Sequence, residues 1–160
     1  MTATAGVRGL RLGDRLLAEV VGHLRAAMPQ EAVGLLGGVD EDGWVRATRF
    51  YPGTNVDASR TRYTMDPEEV LAALRDMEAR GERLAAIAHS HPETPAVPSA
   101  TDLEEFHYWE ALLVIVSLAT SRPEPRCWRI DFDDAPVDRG VVEVPLIVEK
   151  DEALSSDMVP

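Results

Sequence analysis

Leu84-Ala85-Ala86-Ile87-Ala88-His89-Ser90-His91, continuing as Pro92-Glu93-Thr94-Pro95-Ala96-Val97-Pro98-Ser99-Ala100-Thr101-Asp102, is the stretch around which the rest of the chain is arranged. Its apolar start is short and reads as a buried strand. On a strand, side chains two apart share a face, so His89 and His91 point together while Ser90 points away. Further on, Ser99-x-x-Asp102 ahead of Leu103 has capping-box spacing and marks a helix start.

The same alternation of strand and helix extends upstream. Asp66-Pro67-Glu68-Glu69 offers an N-cap, a proline at the first helical position and an acid three residues after the cap. The helix it announces has Val70, Leu71, Leu74 and Met77 on its core face and ends at Gly81. Before it, residues 60–65 read as a short strand and residues 52–59 as a loop. Residues 44–51 alternate like the return arm of a hairpin closed by Asp40-Glu41-Asp42-Gly43. The outgoing arm, residues 30–38, is a glycine-bounded apolar run with Glu31 at its mouth. An amphipathic helix carrying Leu16, Leu17, Val20, Val21, Leu24 and Ala27 precedes it, with Asp14 at the N-cap and Pro29 as the stop; residues 7–12 form a first strand.

Downstream, Leu103, Phe106 and Glu110 share one helical face, and residues 112–117 are a strongly β-prone strand. Residues 126–132 and 141–148 read as two more strands, joined through the turn Asp133-Asp134-Ala135-Pro136. Strands and helices alternate first, then strands dominate. This predicts an α/β (α+β) fold, a mixed β-sheet flanked by about three helices, as one domain over residues 1–148. Residues 149–160 follow as an acidic, loosely held tail.

The formal net charge of −12 opposes phosphate backbones and anionic lipid, so neither nucleic acid nor membrane is an expected partner. There is no apolar run of about 18 residues, and Met1-Thr2-Ala3-Thr4-Ala5-Gly6 has no signal-peptide character, so a cytoplasmic protein is expected. The single Cys127 reads as a packed thiol without chemistry. Nothing in the sequence fixes an oligomeric state.

His89, His91 and Asp102 are three ligands of the kind zinc takes, and three leave a tetrahedral ion one open position, as catalytic sites require. A bound ion lowers the pKa of its water from about 15.7 to about 7. Glu31 is the candidate for taking that water's proton and returning it to a leaving amine, and the Ser99 hydroxyl the candidate donor to a developing oxyanion. Each has a plainer reading: Ser99 and Asp102 as a helix cap, Glu31 as a solvated carboxylate at a strand end. His23 and His107 lie on expected helices, where packing roles are the simpler reading. A His-Glu-x-x-His helix is absent, and 160 residues are too few for a TIM barrel of about 250.

Taken together the residues resemble the JAMM metalloproteases, also called MPN+ domains. That pattern is an upstream Glu, then His-x-His, seven residues, Ser, two residues and Asp; Glu31, His89-Ser90-His91, Ser99 and Asp102 match every position. Pro98-Ser99 and Glu31-Ala32-Val33-Gly34-Leu35-Leu36-Gly37-Gly38 are similar to the family as well. Thr54-Asn55, Tyr63 and the helix after Asp66 add a likeness to small prokaryotic, Mec-type members that process sulfur carriers. The resemblance implies an MPN/JAMM-type domain and a Zn2+ metallopeptidase, with His89, His91 and Asp102 on the metal and Glu31 and Ser99 catalytic. It also implies a partner: a ubiquitin-like sulfur-carrier protein cut after its C-terminal Gly-Gly, releasing cysteine, a peptide or a conjugated protein. The alternatives are an MPN-type scaffold without catalysis, which has lost ligands that this chain keeps, and a JAMM hydrolase of another small amide.

Overall fold

In the computed structural model, residues 6–108, 110–131 and 140–151 are described. The elements run β1 (Leu10–Gly13), α1 (Asp14–Ala26), β2 (Val33–Glu41), β3 (Trp44–Gly53), α2 (Pro67–Ala79) and β4 (Arg83–His91). They continue with α3 (Ala100–Glu105), β5 (Leu112–Ser117), β6 (Glu124–Asp131), β7 (Gly140–Val144) and β8 (Leu146–Glu149). The chain is a mixed α+β domain. Its strands form one sheet in the order β7-β6-β5-β4-β2-β3-β1-β8. β4–β5, β1–β3 and β1–β8 are parallel pairs and the others antiparallel.

β7 and β8 stand at opposite ends of that order, yet Pro145 alone separates them in the chain. The sheet therefore curls until its two ends meet. Residues 141–148, expected as one strand, are two, because proline has no N–H for a ladder and the strand changes partner there. The Pro145 carbonyl accepts from Leu10 N at 2.9 Å, which hands the chain from β6 to β1.

Both faces of the sheet are covered, which explains the unbroken apolar run of β5. Leu112, Val114 and Val116 join Val20 and Leu24 of α1 in one cluster, while Leu113 and Ile115 join Ala73 and Met77 of α2 in the other. β4 divides likewise: Ala86 and Ala88 pack toward α1 and Ile87 toward α2. The two-residue period then places His89 and His91 on the α2 face.

Local signals shaped most elements. Asp42 and Gly43 both have positive φ, 53° and 86°, and form the two-residue turn between β2 and β3. Asp66 caps α2 by accepting from Glu68 N, and Gly81 at φ 72° follows its C-cap Arg80. The N-cap of α1 is Gly13, with Asp14 inside the first turn.

Several expectations change. Residues 60–65 form no strand; an isolated bridge pairs Asn55 with Met65. Leu71 is 49% exposed, and Ala73 takes the core position assigned to it. α3 ends at Glu105 and its C-cap Phe106 is extended, so Glu110 shares no helical face with Leu103. Glu149, assigned to the tail, closes β8 and pairs with Arg46, while Asp151 accepts from Arg15 N at the start of α1. Phe132 and the expected turn at residues 133–136 lie outside the described residues. Cys127 is fully buried, and burial pushes its thiol pKa up. Among the described residues no helix is long and apolar enough to cross a membrane.

Candidate metal centre

β4 delivers two histidines to one point. His89 is 0% exposed and His91 buried, and their Nε2 atoms lie 3.2 Å apart. Asp102, from the first turn of α3, puts Oδ2 3.0 Å from His91 Nε2 and Oδ1 3.3 Å from His89 Nε2. Zinc bonded tetrahedrally at about 2.0–2.1 Å would hold its ligand atoms roughly 3.3 Å apart, so this donor set fits the ion. The His91 Nδ1–H donates to Pro95 O at 2.8 Å, which leaves the Nε2 lone pair of the neutral ring facing the cluster.

The helix-start reading of Asp102 holds, and the same carboxylate faces the two histidines. Ser99 caps α3 with its Oγ accepting from Asp102 N at 3.0 Å, and Asp102 Oδ2 accepts from Ser99 N at 2.9 Å. The capping box thus sets the carboxylate rotamer that faces the histidines. Ser99 Oγ uses a lone pair here, so its O–H is free to turn toward a substrate oxygen. Burial raises the pKa of Asp102, but hydrogen bonds to His89 and His91, the charge of His89 and the Ser99 N–H outweigh it and hold the carboxyl well below the usual range. Burial pulls His89 down. For His91 burial again acts downward, yet the Asp102 bond and the Pro95 carbonyl carry the net shift up.

Glu31 reaches the centre from β2. The β2–β4 register pairs Val33 with His89, and Ser90 N donates to Ala32 O at 3.0 Å, so Glu31 follows opposite His91. It is 4% exposed, and among the described residues its Oε1 has no hydrogen-bond partner. Burial, and next the charge of Asp102, raises its pKa to about 7, against a smaller pull from His91. An unpartnered buried carboxyl beside three converging ligand atoms is the arrangement a general base requires. Its backbone is pinned on both sides, since Glu31 N donates to Ser59 O at 2.7 Å and Asn55 Nδ2 to Glu31 O at 2.9 Å.

Three contributors carried no role in the sequence reading. The Tyr63 ring stacks on His89 with centroids 4.4 Å apart and 26° between planes. Among the described residues His89 Nδ1 has no hydrogen-bond partner, so this stacking, in place of a hydrogen bond, orients the ring. Asn55 organises the loop through Asp57 N and Thr64 N, an Asx-turn arrangement that Asn before a polar stretch can signal. Ser90, which faces away from the ligands, accepts from Ala32 N at 2.9 Å. Beside Tyr63 a cavity of about 370 Å³ opens, lined by Val33, Leu35, Met65, Phe106 and Tyr108 among others. His107 lies on its wall, outside α3. His23 packs against Phe50 and shares its Nε2–H between Val33 O and Gly53 O, a structural role.

Residues 13–131 match the family described as prokaryotic homologs of the JAB domain. The chain is 38% identical over 134 residues to a CysO-cysteine peptidase of Mycobacterium tuberculosis, covering 83% of this chain and 86% of that one. It is 42% identical over 101 residues to a probable TtuB-protein conjugate cleaving protease of Thermus thermophilus, covering 62% and 64%. The solution structure of a Desulfitobacterium hafniense protein superposes with a TM-score of 0.76 at 35% identity, covering 88% of this chain and 93% of that one.

Proposed function

The chain belongs to the prokaryotic homologs of the JAB domain, and from that membership we propose that it is a zinc metallopeptidase acting after the C-terminal Gly-Gly of a ubiquitin-like sulfur-carrier protein. The observation that carries the reading is the convergence of His89, His91 and Asp102 beside the unpartnered carboxyl of Glu31. The peptidase names of the relatives support hydrolysis, and CysO and TtuB in those names support a small carrier-protein conjugate as substrate.

His89, His91 and Asp102 would hold the ion. When bound, zinc supplies Lewis acidity and an acidified water. Glu31 accepts a proton from the attacking water and returns it to the departing amine. Its buried setting raises its proton affinity and suits both transfers near neutral pH. Ser99 turns its O–H toward the carbonyl oxygen that becomes negative. The apolar cavity beside Tyr63 receives side chains upstream of the Gly-Gly end, and glycines keep the backbone close to the ligands.

Mass spectrometry tests the proposal. A small ubiquitin-like protein ending in Gly-Gly plus cysteine or a peptide is incubated with the zinc-loaded enzyme, with and without chelator. Shortening to Gly-Gly that chelator abolishes is expected. An intact adduct overturns the substrate assignment, and cleavage that survives zinc removal overturns the metal's role.

A further inference from the structure

We propose that Ser90 is a positioning residue for this reaction, its hydroxyl setting the place of Glu31 relative to the two histidines. The inference rests on the site reading above. In a hydrogen-bonded pair of a regular antiparallel ladder, the two opposed residues exchange both backbone hydrogen bonds. At Ala32 and Ser90 only one is of that kind: Ser90 N donates to Ala32 O at 3.0 Å, whereas Ala32 N donates to Ser90 Oγ at 2.9 Å. A side-chain oxygen thus stands in for a carbonyl at the first pair beyond β2, between His89 and His91 on one strand and next to Glu31 on the other.

That substitution alters where the chain goes. A serine hydroxyl lies off the strand axis, so an N–H that follows it is drawn out of the ladder line. Glu31 is the next residue of the chain, opposite His91, so the place of this peptide sets the place of its side chain. Ser90 is 0% exposed and Ala32 3%, so water does not compete for either partner. Ser59 O and Asn55 Nδ2 hold the Glu31 backbone from the loop side, and Ser90 holds the adjoining peptide from the side of the histidines. Ser90 is on the strand face opposite His89 and His91, its hydroxyl is engaged by Ala32 N, and it acts through Glu31.

The test compares Ser90→Ala, Ser90→Thr and Ser90→Cys for zinc content, KM, kcat and amide exchange at Ala32. Ser90→Ala should bind zinc as the wild type does, keep KM, lose kcat by about 10²-fold through misplacement of the base, and expose Ala32 N–H to faster exchange. Ser90→Thr, which keeps the hydroxyl, should recover most of kcat. Ser90→Cys keeps the volume with a weak acceptor and should lose kcat as alanine does, which decides the matter if the alanine variant does not fold. In a Glu31→Gln background Ser90→Ala should cost no further kcat, because the group it positions is already lost. Wild-type kcat in Ser90→Ala or Ser90→Cys, or a loss additive with Glu31→Gln, overturns the inference while the site reading stands. A zinc-loaded wild type that hydrolyses nothing overturns the site reading and this inference with it.

Discussion

Replacing Glu31 with Gln should stabilise the zinc-free protein, and by an amount that depends on pH. Glu31 is 4% exposed with Oε1 unpartnered among the described residues, and burial lifts its pKa from an ordinary 4.5 to about 7. Because the folded value is the higher one, the native state holds a proton that the unfolded chain has released between pH 4.5 and 7. Stability therefore falls as pH rises through that window and levels off above it. At about 1.36 kcal/mol per tenfold change in proton affinity, the full cost is roughly 3 kcal/mol at pH 8. Glutamine has the same shape and no charge, so it escapes this cost. Urea unfolding of both proteins in chelator should show the advantage of Glu31→Gln growing by roughly 2.5 kcal/mol between pH 5 and pH 8. With zinc bound the advantage should shrink, since a nearby cation favours the carboxylate. An advantage that is the same at both pH values would mean Glu31 is solvated or paired, and the argument for it as a desolvated base would fall.

Further outcomes follow from the other residues of the centre. The purified protein should carry about one zinc per chain by elemental analysis, and the His89, His91 and Asp102 triple alanine variant should carry none; retention there refutes the ligand assignment. Ser99→Ala should lose about 1 kcal/mol of stability as a missing cap and slow turnover by about 10² to 10³ as a missing oxyanion donor. Loss of stability with turnover intact would leave Ser99 a cap alone. Tyr63→Ala should weaken zinc binding by about 10-fold to 100-fold in a competition titration while Tyr63→Phe leaves it unchanged, because the stacked ring, not the hydroxyl, orients His89. Equal weakening by phenylalanine would assign the effect to the hydroxyl.

Short-range signals made much of the fold legible. The Asp66-Pro67 start of α2, the Asp42-Gly43 turn and the apolar run of β5 depend on neighbours a few residues away, and the structure bears them out. The expectations that changed depended on distant contacts. Leu71 fits a helical apolar stripe as well as Ala73 does, and only the tilt of α2 on the sheet selects which is buried. Residues 60–65 have strand-like composition, but the loop is held by Asn55 side-chain bonds, and its backbone pairing is limited to an isolated bridge at Met65 and the Val56 N to Thr64 O bond. α3 is cut short because the backbone turns extended at Phe106, whose buried ring joins the α2-side core.

By itself the sequence determined which side chains, His89, His91 and Asp102, would be presented together and the local geometry presenting them. A period of two aims His89 and His91 the same way on any strand, and a Ser-x-x-Asp cap turns an aspartate toward its own helix start in any fold. Tertiary structure alone decided the rest. It curled the sheet until β7 met β8 at Pro145, laid Tyr63 on His89, and brought Glu31 to the ligands across 58 positions of chain. It also removed water from Glu31, which gives the carboxyl its raised proton affinity. Side-chain identity and spacing are local and travel with the chain, whereas strand register and desolvation arise only when distant segments pack, and the place and raised proton affinity of Glu31 depend on both.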